Sequence, residues 1–305
     1  MVGERTAPIR KAVIPVAGLG TRLLPATKSQ PKEMLPVGRK PAVQYVVEEA
    51  VEAGITQILL ITGRQKSSIE DHFDREPELE RRLGESGAYD LAEELNFFEE
   101  DVALFYTRQS VQSGPADAIR LAADFVGDEP FLVAYGDTII TSQQQPSLIQ
   151  RMLQDHLASD AQATLAVETV RREDVQRYGI VQPVAGTPPQ PSASFEIDDL
   201  IEKPEVATAP STLAITPRYI FDRSIFDAIN RTLPGRGGEL WLTDSIAILL
   251  KQGDRVQCLP LGAGEKRYDI GNFETYFKAF IDCALADERY GYMIRQYLVG
   301  LSEQL

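Results

Sequence analysis

In AVIPVAGLGTRLLPATKSQPKEMLPV, residues 12–37, an apolar run leads into two glycines and then into a loop carrying three prolines and three cations. The run at 12–16 reads as a buried strand. Glycines directly after such a strand let backbone N–H groups come close to a phosphate. A dinucleotide fingerprint would need a third glycine at 23 and a helix starting inside the motif. Leu23 stands there instead, and Pro25 and Pro31 oppose the helix. A P-loop would need glycine immediately before Lys28-Ser29, where Thr27 stands. What remains is a long irregular loop in which Gly18 and Gly20 admit a ligand. Arg22 and Lys32 supply cations suited to the separate phosphates of an extended polyphosphate.

Working outward, short apolar runs near 12–16, 57–62, 102–107 and 131–135 alternate with helical patterns near 41–53, 66–73, 77–95 and 115–124. That alternation predicts an α/β fold, a Rossmann-like, mostly parallel mixed central sheet flanked by helices. The order loosens after AYGD at 134–137, with a helix near 146–158 and strands near 162–168 and 178–184. The Pro/Gly/Ser stretch 185–194 reads as a hairpin excursion between the strands near 178–184 and 195–201. A strand near 212–220, helices near 222–231 and 242–251, a strand near 255–260 and two terminal helices from about 272 complete the chain. With no clean linker, one domain is expected: a nucleotide-binding part at about 8–140, a sugar-phosphate-binding part at about 141–270, and C-terminal helices at about 271–305.

Hydrophobic residues at 43% and charged residues at 25% are ordinary globular values, and no apolar stretch approaches the length of a membrane span. No apolar segment precedes the first strand, so a cytoplasmic protein is expected. Cys258 and Cys283 form no CxxC and no Cys/His cluster, which argues against a disulfide framework or structural zinc. A net charge of −14 speaks against nucleic acid as a partner. Much of the acidity lies in 70–101, where thirteen Asp and Glu face only Arg75, Arg81 and Arg82, as in a solvated helical insertion. The two histidines, His72 and His156, read as surface residues.

The signature GLGTRLLPATKSQPKEMLPV resembles that of the sugar-nucleotide pyrophosphorylases, G-x-G-T-R-x-x-P-x-T-x-x-x-P-K. The likeness continues in QYVVEEAVEAGITQILLIT, YGIV at 178–181, IEKP at 201–204, LTDSI at 242–246 and YDIGN at 268–272. The bacterial members that act on UTP and glucose 1-phosphate are particularly similar. The resemblance implies a nucleotidyltransferase, glycosyltransferase-A-like fold, UTP and glucose 1-phosphate as substrates, Mg²⁺ as cofactor, and a homo-dimer or homo-tetramer. It implies that Ala17, Gly18, Gly20 and Thr21 line the nucleotide, that Arg22 holds the β- and γ-phosphates, and that Lys32 acts near the α-phosphate. Gln109 would bond the uracil edge and Gly114 would let the base approach. Glu202 would accept from sugar hydroxyls, Lys203 would hold the sugar phosphate, and Gly179 would admit the hexose.

Asp137 ends the run FLVAYGD, at the end of a parallel strand where open α/β sheets bind ligands. With Asp269 it would offer two carboxylates to Mg²⁺, which keeps water and phosphate ligands as well. By residue type alone these aspartates serve as turn caps, Gln109 as a loop contact, and Glu202 with Lys203 as a surface ion pair. The chain departs from the pattern at GPADA (114–118), where Asp117 replaces the usual histidine, and at ELWLTD (239–244), which brings in Trp241. Those departures fall near the base and the sugar and leave open a related transferase using dTTP or another hexose phosphate. A rival of another class is a non-catalytic regulatory paralogue that binds a sugar nucleotide, against which the retained Arg22, Lys32, Asp137, Lys203 and Asp269 speak.

Overall fold

The computed structural model describes residues 8–64, 66–95, 101–142, 144–186, 190 and 193–302. Its strands are β1 (Lys11–Pro15), β2 (Pro36–Val37), β3 (Lys40–Pro41), β4 (Gln57–Thr62), β5 (Ala103–Arg108), β6 (Phe131–Ala134) and β7 (Thr138–Thr141). They continue with β8 (Ala163–Thr169), β9 (Gly179–Pro183), β10 (Phe195–Glu202), β11 (Leu213–Phe221), β12 (Val256–Pro260) and β13 (Lys266–Asp269). Nine of these form one sheet in the order β5-β4-β1-β6-β11-β8-β12-β10-β9.

β1 lies between β4 and β6, parallel to both, and β5 extends the parallel run. Beyond β6 the sheet is mixed. β11 runs antiparallel to β6 and β8, β12 is parallel to β8, and β10 is antiparallel to β12 and β9. Burial on both faces explains the unbroken apolar runs of β1, β4 and β6. Ala12, Ile14, Ile58 and Leu60 face helices Ala42–Glu52, Ser67–Phe73 and Leu148–Ala158. Val13, Leu59 and Ile61 face Pro115–Arg120, Ser224–Arg231 and Leu242–Gln252. The alternation of side chains along each strand divides the core into these two layers.

Several local signals are visible in the helices. Ser147 caps Leu148–Ala158: its hydroxyl accepts from Gln150 N at 3.4 Å, and the Gln150 side chain accepts from Ser147 N at 3.0 Å. The single helix expected over 77–95 is two, Pro77–Glu85 and Tyr89–Leu95, because Gly87 takes φ +76° between them. The acidic insertion is partly described, since 96–100 lie outside the described residues, as do 187–189 and 191–192 of the 185–194 excursion. β9 and β10 do pair as antiparallel neighbours on either side of that excursion.

His156 corrects its surface expectation. It is fully buried, with Nδ1 at 2.9 Å from Thr164 Oγ1 and Nε2 at 3.3 Å from Asp222. His156 lies on the inner face of its helix, where an imidazole is tolerated because both nitrogens find partners. His72 is half-buried beside Gln44 at 3.0 Å. Cys258 is buried and Cys283 half-buried, both as free thiols. Among the described residues no helix is long and apolar enough to cross a membrane.

Two small pairings absent from the sequence expectations complete the frame. β2 and β3 form a short hairpin, and β7 and β13 form an antiparallel ribbon. A third apolar cluster of Val37, Ala42, Ile139, Tyr268, Ile270 and Ala279 fastens both to the C-terminal helix Phe273–Ala286.

Candidate active site

The glycine loop leaves the C-terminal end of β1, where the sheet order reverses between β4 and β6, the crevice in which open α/β sheets hold ligands. No long helix starts in it. Three single 3₁₀ turns, Thr21–Leu23, Ala26–Lys28 and Lys32–Met34, fold it back on itself. Gly20 takes φ +65°, and Thr27 Oγ1 donates to its carbonyl at 2.8 Å. A Cβ on Gly18 would stand 3.2 Å from both Cε and Nζ of Lys32. The glycines thus let the loop close over the Lys32 stem, while Leu23 is fully buried and anchors the turn.

Lys32 reaches the carboxylates. Its Nζ lies 2.5 Å from Asp137 Oδ2. Burial would lower the Lys32 pKa, but Asp137 and Glu33 outweigh it and hold the ammonium above its ordinary value. Burial would raise Asp137, and Lys32 reverses that to keep it below the usual aspartate range. Asp269 differs. Burial and the neighbouring Asp137 both push its carboxyl up, and the backbone N–H of Gly271, at 2.7 Å, offsets them only in part. The β7–β13 ribbon creates this proximity: Thr138 is the register partner of Asp269, and Ile270 N donates to Asp137 O at 2.9 Å. Beneath them Glu33 accepts from Lys66 Nζ at 2.7 Å in a buried pair. Arg218, fully buried, donates to Thr138 O at 2.8 Å and to Glu49 at 2.6 Å, tying the segment after Asp137 to helix Ala42–Glu52.

Two cavities meet at this point. The first, about 400 Å³, is lined by Ala17, Gly18, Gly20, Thr21, Arg22, Lys32, Gln109, Gln112, Gly114 and Asp137, among others. Gln112 Nε2 donates to Ala17 O at 2.5 Å and holds the loop entrance. Gly114 adopts φ 110° and ψ 172°, and a Cβ there would fall 2.6 Å from both N and O of Leu240. Its lack of a side chain therefore serves a backbone clasp: Leu240 N donates to Ser113 O at 2.8 Å and Ala116 N to Leu240 O at 3.0 Å.

The second cavity, about 540 Å³, is lined by Arg22, Asp137, Gly179, Glu202, Lys203, Trp241, Thr243, Arg267 and Asp269, among others. Arg22, Pro115, Tyr135 and Asp137 belong to both walls. Lys203 is the one non-glycine residue with positive φ, 46°, among the described residues, and strain of this kind collects at functional sites. Its ammonium sits 3.8 Å from the Trp241 ring centroid and 3.3 Å from Glu202 Oε1, and its backbone N–H donates to Tyr178 O at 2.9 Å. Glu202 Oε2 accepts from Thr243 Oγ1 at 2.5 Å. A Cβ on Gly179 would meet Thr243 Cγ2 at 2.8 Å and Glu202 Oε2 at 3.2 Å, so this glycine makes room for those side chains.

All the site residues expected from the sequence line one or both cavities. Thr243, Gln112, Arg267 and Arg218 carried no expectation. Thr243 lies in the LTDSI motif, and Arg218 interrupts the apolar strand LAITPRYIF, where an arginine can be buried only with partners. Gln112 and Arg267 had no local signal, because their contacts depend on distant segments. Arg267 lies against Glu168 at 2.5 Å and over the Tyr178 ring at 4.3 Å.

The model of the nucleotidyl transferase family matches residues 11–284. The UTP–glucose-1-phosphate uridylyltransferase of Bacillus subtilis is 41% identical over 297 residues, covering 97% of each chain. Among solved structures, a UTP-bound UGPase from Acinetobacter baumannii superposes with a TM-score of 0.88 at 37% identity, covering 95% of this chain and 99% of that one. A UDP-glucose pyrophosphorylase complexed with UDP-glucose gives a TM-score of 0.80 at 34% identity, covering 92% of this chain and 100% of that one.

Proposed function

The chain belongs to the nucleotidyl transferase family, and from that premise we infer that it transfers the uridylyl group of UTP to glucose 1-phosphate, giving UDP-glucose and pyrophosphate. The observation that carries this reading is the meeting of two cavities at Arg22 and Asp137, one floored by the glycine loop and the other by Glu202 and Lys203. Such a junction suits two phosphorylated substrates placed end to end.

A phosphate oxygen of glucose 1-phosphate attacks the α-phosphorus of UTP. A new P–O bond forms there, and the bond from the α-phosphorus to the bridging oxygen breaks as pyrophosphate leaves. No general base is required, because a phosphate monoester has a second pKa of about 6 and is mostly dianionic near neutral pH. The chain's task is to bring two polyanions together in line. Ala17, Gly18, Gly20 and Thr21 cradle the triphosphate, with Arg22 on its outer phosphates and Lys32 near the α-phosphate. Lys203 holds the sugar phosphate, and Glu202, kept in place by Thr243, accepts from the hexose hydroxyls. Gln109 and Gly114 face the base.

Asp137 and Asp269 would hold Mg²⁺, which supplies charge neutralisation for the phosphates. Two neighbouring carboxylates, with Asp269 driven up by burial and by Asp137, form a donor set that a hard cation would relieve. The nucleotide part (about 8–140), the sugar-phosphate part (about 141–270) and the C-terminal helices act as one domain in the cytoplasm. Phe277, Ile281, Tyr292, Met293 and Tyr297, exposed on the last two helices, suit self-association as a dimer or tetramer.

The test is pyrophosphate release from UTP and glucose 1-phosphate with Mg²⁺, with dTTP and other hexose 1-phosphates as competitors. UDP-glucose as the main product supports the assignment. Preference for dTTP or for another hexose would reassign the substrates, and binding without turnover would replace the enzyme with a regulatory binding protein.

A further inference from the structure

Behind the first cavity, Gln109 and Asp117 form a buried pair. Gln109 directly follows β5, and its backbone N–H donates to Thr62 O at 2.8 Å. Its side-chain Nε2 donates to Asp117 Oδ2 at 2.8 Å and to Gly114 O at 3.2 Å, so both amide hydrogens are engaged inside the protein. Arg120, one helical turn on, holds the other carboxylate oxygen: its Nη2 and Nε lie 2.6 and 3.3 Å from Asp117 Oδ1. Gln109 lines the cavity and Asp117 does not.

A carboxylate only accepts hydrogen bonds, whereas an amide has one donating and one accepting end. Turning the Gln109 amide over would set its oxygen against Asp117 Oδ2 and against the Gly114 carbonyl, leaving two buried acceptors facing a third. Asp117, with the longer contact to the Gly114 carbonyl beside it, therefore sets a single orientation, with Oε1 as the atom left for a ligand. The histidine usual at this point of the motif could donate or accept according to its tautomer and would not impose that direction.

We infer that Asp117 is a positioning residue that fixes Gln109 as a hydrogen-bond acceptor towards the base. It thereby restricts the nucleotide donor to bases with a ring N–H at that edge. The inference rests on the uridylyl-transfer reading. Uracil and thymine carry an N3–H that can donate to Oε1. Cytosine has a lone pair at N3, which meets the same oxygen repulsively. Sites that require a hydrogen bond from the substrate reject analogues lacking it far more strongly than apolar pockets reject an extra group, because the buried protein atom is left unpaired. Asp117 does not separate UTP from dTTP, which share the N3–H.

The experiment compares kcat/KM for UTP, dTTP and CTP, with glucose 1-phosphate and Mg²⁺, in the wild type and in Asp117→Asn. Arg120 would keep the asparagine oxygen, so the new amide NH₂ faces Gln109 and favours the turned amide, leaving the Gly114 carbonyl as the one contact that opposes the turn. The UTP to CTP ratio should fall at least tenfold, with losses for UTP and dTTP in step, while KM for glucose 1-phosphate and Tm stay near wild type. A ratio within twofold of wild type, with all three nucleotides losing equally, would overturn the proposal. Should Asp117→Asn fail to fold, Arg120→Met carries the test, since Arg120 is half exposed and steers Asp117 from outside. A ratio at least threefold lower supports the proposal, and an unchanged ratio overturns it. A wild type releasing pyrophosphate from neither UTP nor dTTP would end the transferase reading. Calorimetric binding of UTP against CTP would then decide Asp117 separately, with the same fall in ratio expected.

Discussion

Replacing Gly114 by alanine tests whether the two cavities are mechanically one. The glycine's φ of 110° and ψ of 172° lie in a region that is nearly glycine-only, where another residue costs roughly 1–3 kcal/mol. The new methyl would also fall 2.6 Å from both N and O of Leu240, so the segments must part. Parting them weakens the bonds Leu240 N to Ser113 O and Ala116 N to Leu240 O, each worth about 1 kcal/mol. Together these give a loss of roughly 4 kcal/mol, which at about 2 °C per kcal/mol for a chain of this size lowers Tm by roughly 8 °C. The kinetic consequence is more diagnostic. Leu240 precedes Trp241 and Thr243, which wall the second cavity, so KM for glucose 1-phosphate should rise several-fold along with KM for UTP. Thermal unfolding followed by circular dichroism and pyrophosphate-release kinetics measure both. A Tm within 2 °C of wild type together with an unchanged KM for glucose 1-phosphate would refute the clasp as a link between the cavities.

Other perturbations separate stability from chemistry. Lys203→Ala should lower kcat by about 10²–10³-fold, as removal of a charge-stabilising group does, while its lost contact with Trp241 costs only about 0.5–1 kcal/mol of stability. Lys203→Gly should be equally inactive yet more stable than Lys203→Ala, because it relieves the positive φ; equal Tm values for the two variants would contradict strain at this position. Arg218→Met leaves Glu49 buried without its partner and should cost about 3–5 kcal/mol in urea unfolding, a loss that a variant removing both charges should largely recover. Burial holds the His72 imidazole below its ordinary value of 6.5, against the pull of Glu48. Its contribution to stability is therefore fully present above about pH 6.5 and is lost as the pH falls through the lowered folded value. His72→Gln should flatten that acid limb of a stability profile, and an unchanged slope would contradict the assignment.

The parallel half of the sheet was legible because β1, β4 and β6 are buried on both faces and leave uninterrupted apolar runs. The glycine loop was legible by elimination: Leu23, Pro25 and Thr27 each break a better-known phosphate motif. His156 was misjudged because polar neighbours along the chain do not reveal which face of a helix turns inward. The β7–β13 ribbon escaped because four-residue strands with mixed burial carry little periodicity, and their pairing joins distant segments. Gly114 and Gly179 were expected to make room for ligand; both line the cavities, and each also makes room for protein atoms, Leu240 at the one and Thr243 with Glu202 at the other. Both signals marked a close approach without naming what approaches.

That ribbon also bears on how the protein is made. Thr138 and Asp269 are register partners far apart in the chain, and contacts of such long sequence separation carry a large loop-closure entropy and form slowly. During synthesis the glycine loop, β4 and β6 can assemble while the second carboxylate has yet to leave the ribosome. Lys32 and Asp137 can already neutralise each other at that stage. Arrival of Asp269 then sets a second carboxylate beside this pair. Pulse-labelled hydrogen exchange should find the ribbon amides among the last to gain protection.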